Sequence, residues 1–350
     1  MERPSESPSL ALLIIVVVLV AASADGAPEV PCYFIFGDSL FDNGNNNNLD
    51  TSTKSNYPPY GIAFPAGPTG RFTNGRTTAD IVGELMGFES FIPSFASNPS
   101  RSELLVGVNY ASASAGILFE SGKQMGDNVD MSQQLSNHGV TVSSISDILG
   151  SKESAYGHLA KCFYISNMGN NDYINNYLLP QSSDIRKKYN PDQFAALLIE
   201  KYTVQIKSVY SLGARKVGLV GVSPIGCTPN AIAASGGTKG LLCDDSVNEI
   251  VEPFNVRLRS LVDQFNIDFP DAKFMYLDST LASTLAGLAF PIRTVPCCQV
   301  SSITGLCIPN SAPCPALIRH TYLFWDAFHP VEASNRMVAS IFYEAIKPIL

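Results

Sequence analysis

The chain has 350 residues, 45% of them apolar, and a formal net charge of −8. That length and apolar content can fill one sizeable core, whereas the acidic balance, without any basic cluster, argues against nucleic acid and anionic membrane surfaces as partners. No low-complexity linker or internal repeat divides the sequence, so one domain is expected.

The first element is Leu10 to Ala22, thirteen consecutive apolar residues followed by Ser23-Ala24. The run is shorter than the ~20 residues of a membrane span and exits through small residues, the pattern of a secretory leader over residues 1–24 with the mature chain starting near Asp25. Arg3 is offset by Glu2 and Glu6, a departure from the usual basic start that leaves an uncleaved anchor as the alternative. Next, Phe34-Ile35-Phe36-Gly37-Asp38-Ser39-Leu40 reads as a buried strand that stops at a tight turn and presents a serine hydroxyl beside free backbone N–H groups. Alone, Gly-Asp-Ser is ordinary turn chemistry.

Five apolar segments read as strands: Cys32 to Phe36, Leu105 to Asn109, Cys162 to Ser166, Val217 to Val222 and Phe274 to Leu277. Between them, Asn190-Pro191-Asp192-Gln193 is a helix start with proline at the first position and a capping-box partner, and Gly213 ends that helix. Val247, Ile250, Val251, Phe254, Leu258, Leu261, Val262 and Phe265 recur near a period of 3.6 and define a second helix, in which Pro253 predicts a kink or a late start. Strands alternating with helices imply an α/β protein with a parallel sheet of about five strands covered on both faces. In such sheets the site lies at the carboxyl ends of the strands, where their order reverses, and Ser39 after the first strand is at that point.

Near the far end, Phe324-Trp325-Asp326-Ala327-Phe328-His329-Pro330 puts a carboxylate three residues before an imidazole. At that spacing Asp326 can accept a hydrogen bond from one ring nitrogen of His329 and leave the other as a base. Of the four histidines, His138 sits in a polar, loop-like stretch, His158 precedes a strand, and His320 has no acid within four positions. Eight cysteines in a chain with a leader point to disulfides. Cys297, Cys298, Cys307 and Cys314 crowd just before the Asp326/His329 turn, where bridges would staple it; their spacing does not suit a zinc site. Cys227 and Cys243 form another candidate pair, and Cys32 and Cys162, at strand starts, are expected as buried thiols. Trp325 is expected to pack beneath the Asp326/His329 turn, the Asn45 to Asn48 run to be loop, and Arg71 and Arg76 to pair with nearby acids. Asp38 is expected to make a structural hydrogen bond to its loop.

Gly37-Asp38-Ser39-Leu40, Gly169-Asn170-Asn171-Asp172 and Asp326-x-x-His329, in this order, together with Asp42 to Asn47, Pro59-Tyr60-Gly61, Gly70 to Arg76 and Asn109 to Ala113, resemble the plant branch of the GDSL esterase/lipase family, within the SGNH hydrolase superfamily. The resemblance spans nearly the whole mature chain, residues 25–350. It implies a flavodoxin-like three-layer sandwich and an ester hydrolase with Ser39 as nucleophile, His329 as base and Asp326 as its orienting acid. Asn171, following the third strand candidate, would present its amide to the developing oxyanion at the same edge as Ser39, whose own N–H is a second donor. The family's third donor is a backbone N–H in Ala111-Ser112-Ala113-Ser114-Ala115-Gly116, which departs from the commoner glycine-rich form and leaves the choice between Ala115 and Gly116 open.

The sequence thus predicts a secreted, extracellular (apoplast or cell wall) serine esterase or lipase acting on a small-molecule or lipid ester, with no cofactor, no metal and no stable membrane insertion after leader removal. Two rivals share these residues: an acyltransferase, in which an alcohol rather than water intercepts the acyl-serine, and a non-catalytic apoplastic binding protein.

Overall fold

The computed structural model describes residues 27–179, 183–236 and 242–350; the expected leader over 1–24 lies outside the described residues. Four five-residue strands, β1 (Tyr33–Gly37), β2 (Phe163–Asn167), β3 (Lys216–Val220) and β4 (Lys273–Leu277), form a parallel sheet in the order β1-β2-β3-β4. Ile35 pairs with Ile165, Ile165 with Gly218, and Gly218 with Met275. Successive side chains point to opposite faces, as the pleat requires. Phe34 and Phe36 enter one core with Tyr164, Val217, Leu219 and Phe274. Tyr33 and Ile35 enter the other with Phe163, Ile165, Val220 and Leu277. Both faces are apolar, which is why these strands read as near-continuous hydrophobic runs.

The helices are α1 (Thr78–Leu85), α2 (Arg101–Val106), α3 (Met131–Leu149), α4 (Lys152–Leu159), the single turn α5 (Asn170–Asp172), α6 (Ser183–Lys188), α7 (Pro191–Ser211), α8 (Pro229–Ala234), α9 (Asp245–Asp268), α10 (Ser279–Leu288) and α11 (Glu332–Ile346). Residues of α3, α7 and α9 pack on the first face, and those of α1, α10 and α11 on the second. The layers are therefore helix, sheet, helix. Among the described residues no helix is long and apolar enough to cross a membrane.

The capping box at Asn190 with Gln193 starts α7, and Gly213, at φ 110°, follows its end, as the sequence predicts. Four expectations need correction. Leu105 to Asn109 is not a full strand: a capping box from Ser100 to Glu103 drives helix α2 through Val106, and the chain beyond it bonds β1 through Ile35 N–H to Val108 O, Tyr110 N–H to Ile35 O and Ser112 N–H to Gly37 O. The chain passes so close to β1 here that a side chain at Gly107, with φ 135°, would meet the Tyr33 carbonyl. The sheet accordingly has four strands plus this bridged edge. Of the kink or late start expected at Pro253, the late start is excluded, because helix α9 begins at Asp245 and runs through Pro253. Cys32 and Cys162 are not free thiols; they immediately precede the paired residues Tyr33 and Phe163, which puts their Cα atoms 4.6 Å apart and joined by a disulfide. Finally, His138 lies in α3 rather than a loop, and burial pushes its pKa down to about 3, leaving it neutral.

The chain goes from β1 to the 108–110 edge on one side and then to β2 on the other. The order reverses at β1, whose carboxyl end carries Ser39.

Candidate active site

The turn after β1 is held by backbone and side-chain bonds from three directions. Gln134 of α3 grips the peptide of Gly37, accepting from its N–H at 3.0 Å and donating to its carbonyl at 2.8 Å. Asp38 O accepts from the N–H groups of Phe41 and Asp42. The Asp38 carboxylate accepts from Leu40 N–H and from the Asn170 amide, each at 2.9 Å, so it is the structural acid of this loop. Burial pushes that carboxyl up to about 6 despite these donors. The asparagine run is glue for the neighbouring segment: Asn45 donates to the carbonyls of Asn109 and Ala111, and Asn46 to those of Thr53 and Ala113.

The other half of the site is built without regular structure. Cys297 and Cys298 run beside the Asp326/His329 segment, donating backbone N–H bonds to Phe324 O and Trp325 O. Disulfides Cys297–Cys314 and Cys298–Cys307 close the stapled loop, and Cys227–Cys243 closes a second one. Trp325 is fully buried in the apolar cluster formed with these cysteines. The Trp325 backbone N–H donates to His329 O at 2.7 Å, which closes the turn containing Asp326.

Asp326 is wholly buried and fully used. Its Oδ1 accepts from the N–H groups of Phe328 and His329 at 2.8 Å each. His329 Nδ1 lies 2.9 and 2.7 Å from its two oxygens, and the Tyr60 hydroxyl donates to Oδ2 at 2.5 Å. A carboxylate only accepts, so Nδ1 carries the proton and Nε2 is left as acceptor. Nε2 is 2.7 Å from Ser39 Oγ, across 290 positions of sequence. Burial, and then the charge of Asp326, raises the Tyr60 hydroxyl well above its usual range, so it remains a donor. Tyr60 in turn accepts from Cys307 N–H at 3.1 Å, tying the stapled loop to the acid.

Ser39, Asn171 and His329 all face one cavity of about 290 Å³, whose wall is largely apolar and includes Ile174, Leu288, Phe328 and Phe342. Asn175 donates to Asn171 Oδ1 at 2.7 Å, and Asn171 spends one amide N–H on Ala115 O at 3.0 Å, leaving its second. Neither Ala115 nor Gly116 lines the cavity; Ala113 and Ser114 do. Ala115 N–H is used by Ser112 O, and a side chain at Gly116 would meet the Asp172 carboxylate and Ser121. Ser114, at φ 63°, lines the cavity, and its N–H has no acceptor among the described residues. A left-handed serine has no sequence signature, because the conformation normally announces itself by glycine or asparagine. Tyr60 was equally silent: it lay in a matched stretch, but nothing local tells that it reaches an acid 266 positions away. Arg71 and Arg76 are internal, the first paired with Asp80 and the second bridging Glu84 and Glu332.

Residues 33–342 match the family model described as GDSL-like lipase/acylhydrolase. The chain belongs to this family. Similar GDSL esterase/lipases from Arabidopsis thaliana include one 44% identical over 334 residues, covering 93% of this chain and 91% of that one. Another is 45% identical over 325 residues, covering 91% and 88%. A solved putative GDSL-like lipase from Parabacteroides merdae aligns at 11% identity with a TM-score of 0.41, over 92% of this chain and 98% of its own. That structural likeness is too remote to add to the argument. As a GDSL esterase/lipase, the protein is a carboxylic ester hydrolase of the α/β class.

Proposed function

We propose that this GDSL hydrolase cleaves acyl esters through a covalent acyl-serine, and that Ser39, His329 and Asp326 form its triad. The observation that carries the reading is the unbroken line from Asp326 through the His329 ring to Ser39 Oγ, with 2.7 Å at each of its two closest steps. His329 Nε2 takes the hydroxyl proton as Oγ attacks the ester carbonyl; Asp326 orients the ring and stabilises the imidazolium. The tetrahedral oxyanion would take hydrogen bonds from the Ser39 N–H, the free amide N–H of Asn171 and the Ser114 N–H, which replaces Gly116 in the assignment. Such donors act mainly on charge formed in the transition state. The proton on His329 then goes to the departing alcohol, and a water, deprotonated by the same ring, releases the acid.

Hydrolysis is preferred to acyl transfer, since among the described residues no separate acceptor pocket is distinguished along the cavity. With glycerol supplied as acceptor, free acid is the expected main product; a dominant glycerol ester would reverse the preference. Four disulfides and the apolar leader support a secreted, extracellular protein, read here as a single domain over 25–350.

An organophosphonate aryl ester tests the mechanism. It should abolish hydrolysis of short aryl esters and map to Ser39 by peptide mass; a label on another serine, or full activity in Ser39→Ala, removes the triad.

A further inference from the structure

The cavity wall carries one lysine or arginine among its described residues, Arg293, which the triad does not use. Its neighbours in composition are spent: Arg71 and Arg76 are locked in ion pairs remote from any ligand role. Arg293 differs. Its Nε donates to Phe290 O at 3.0 Å, just past the end of α10, which fixes the guanidinium on the backbone. Among the described residues no carboxylate lies within ion-pair distance of it, and neither terminal nitrogen has a hydrogen-bond partner. The bond to the Phe290 carbonyl accounts for one of its five N–H donors and leaves the planar fork unspent.

The backbone around it is anchored to the catalytic segment. Ile292 N–H donates to Thr321 O and Leu323 N–H donates to Ile292 O, so Arg293 sits beside the strip that leads into Phe324, Trp325 and Asp326. A fixed cation on a largely apolar wall, with its fork open, is screened less than one in water. It also stands out in a chain whose net charge of −8 otherwise repels anions. The acids and bases already placed at the cavity do not neutralise it: the Asp38 carboxylate is held by Leu40 and Asn170, and His329 faces Ser39.

Resting on the esterase reading above, we propose that Arg293 binds an anionic group of the substrate, a carboxylate or a phosphate, carried at the end of the ester remote from the scissile carbonyl. The planar fork matches either group through two parallel charge-assisted bonds. The enzyme would then select acidic esters, and its neutral analogues would bind through the apolar wall alone.

The test uses aryl esters of dicarboxylic acids of graded chain length, each with the far carboxyl free or methylated, and a parallel set ending in a phosphate monoester or its dimethyl ester. In the wild type, kcat/KM for the charged member should exceed that for its neutral twin at one or more lengths. Arg293→Gln should lower that ratio by roughly 10- to 100-fold, mainly through KM, and Arg293→Lys should restore part of it. A preference confined to the carboxylate or the phosphate set names the source of the anion. Neutral twins favoured at every length in both sets, or a ratio unmoved in Arg293→Gln, overturns the proposal. Should Arg293→Gln fail to fold, the wild type decides: amide analogues with a free terminal acid must inhibit neutral-ester hydrolysis more strongly than their methyl esters, and lose that advantage in high salt. Equal inhibition also overturns it. Failure of the esterase reading itself would look different, since neither charged nor neutral esters would be cleaved.

Discussion

The two halves of the site are held by different means. Ser39 stands at the end of a strand inside a parallel ladder, with Gln134 and Asn170 fixing the turn. His329 belongs to a stretch from 289 to 331 in which, among the described residues, the one helical piece is the 3₁₀ segment Ala316–Thr321. There, two disulfides, a buried tryptophan and the multiply bonded Asp326 carboxylate replace the ladder. Either method can hold a side chain to within hydrogen-bonding tolerance. They differ in vulnerability: a ladder is distributed over many weak bonds, while the stapled half depends on a few polar contacts and cross-links.

The largest expected effect removes the base proposed for the stapled half. His329→Ala should lower kcat by about 10⁴-fold while thermal stability stays near that of the wild type. Retained activity with an intact fold would place the base elsewhere.

On the ladder side, Asp172 accepts from Ile117 N–H, Leu118 N–H and the Ser121 hydroxyl, and burial raises its pKa from 3.8 to about 6. The folded state therefore binds its proton more tightly than the unfolded chain does. The associated stability is fully present below about pH 4 and is lost as pH rises through about 6. Measured by denaturant unfolding, the advantage of wild type over Asp172→Asn should be largest near pH 4 and shrink by about 3 kcal/mol by pH 7. A gap that widens with pH would contradict the assignment.

The smallest effect probes the link between loop and acid. Tyr60→Phe removes one donor to Asp326 and should lower kcat about tenfold with little change in KM. The paired change Cys298→Ser with Cys307→Ser should reproduce part of this loss. Because the Cys307 N–H bonds the same hydroxyl, the two perturbations should combine less than additively. Full additivity would make Tyr60 and the staple independent supports.

The ladder half was easier to read from sequence than the stapled half. Apolar runs such as Phe34 to Phe36 and the periodic face of α9 are local signals, and four of the five expected strands lie where they were expected. The fifth was misread because the apolar run Leu105-Val106 ends a helix whose cap at Ser100 is a stronger local instruction. Asp326 and His329 declared themselves by a three-residue spacing. Tyr60, Ser114 and the Cys32–Cys162 bridge did not, since each depends on what the fold brings alongside: an acid far down the chain, a left-handed turn without glycine, and the register of two strands.

The 290 positions between Ser39 and His329 also have a consequence in time. At about 5–20 residues per second, roughly 15–60 s of synthesis separate the two residues. A growing chain carries the proposed nucleophile long before its base, and a serine hydroxyl without a base is inert. Ester-cleaving capacity would switch on only when the last segment has docked and its cross-links have formed, so a ribosome-bound intermediate would cleave no ester that it meets.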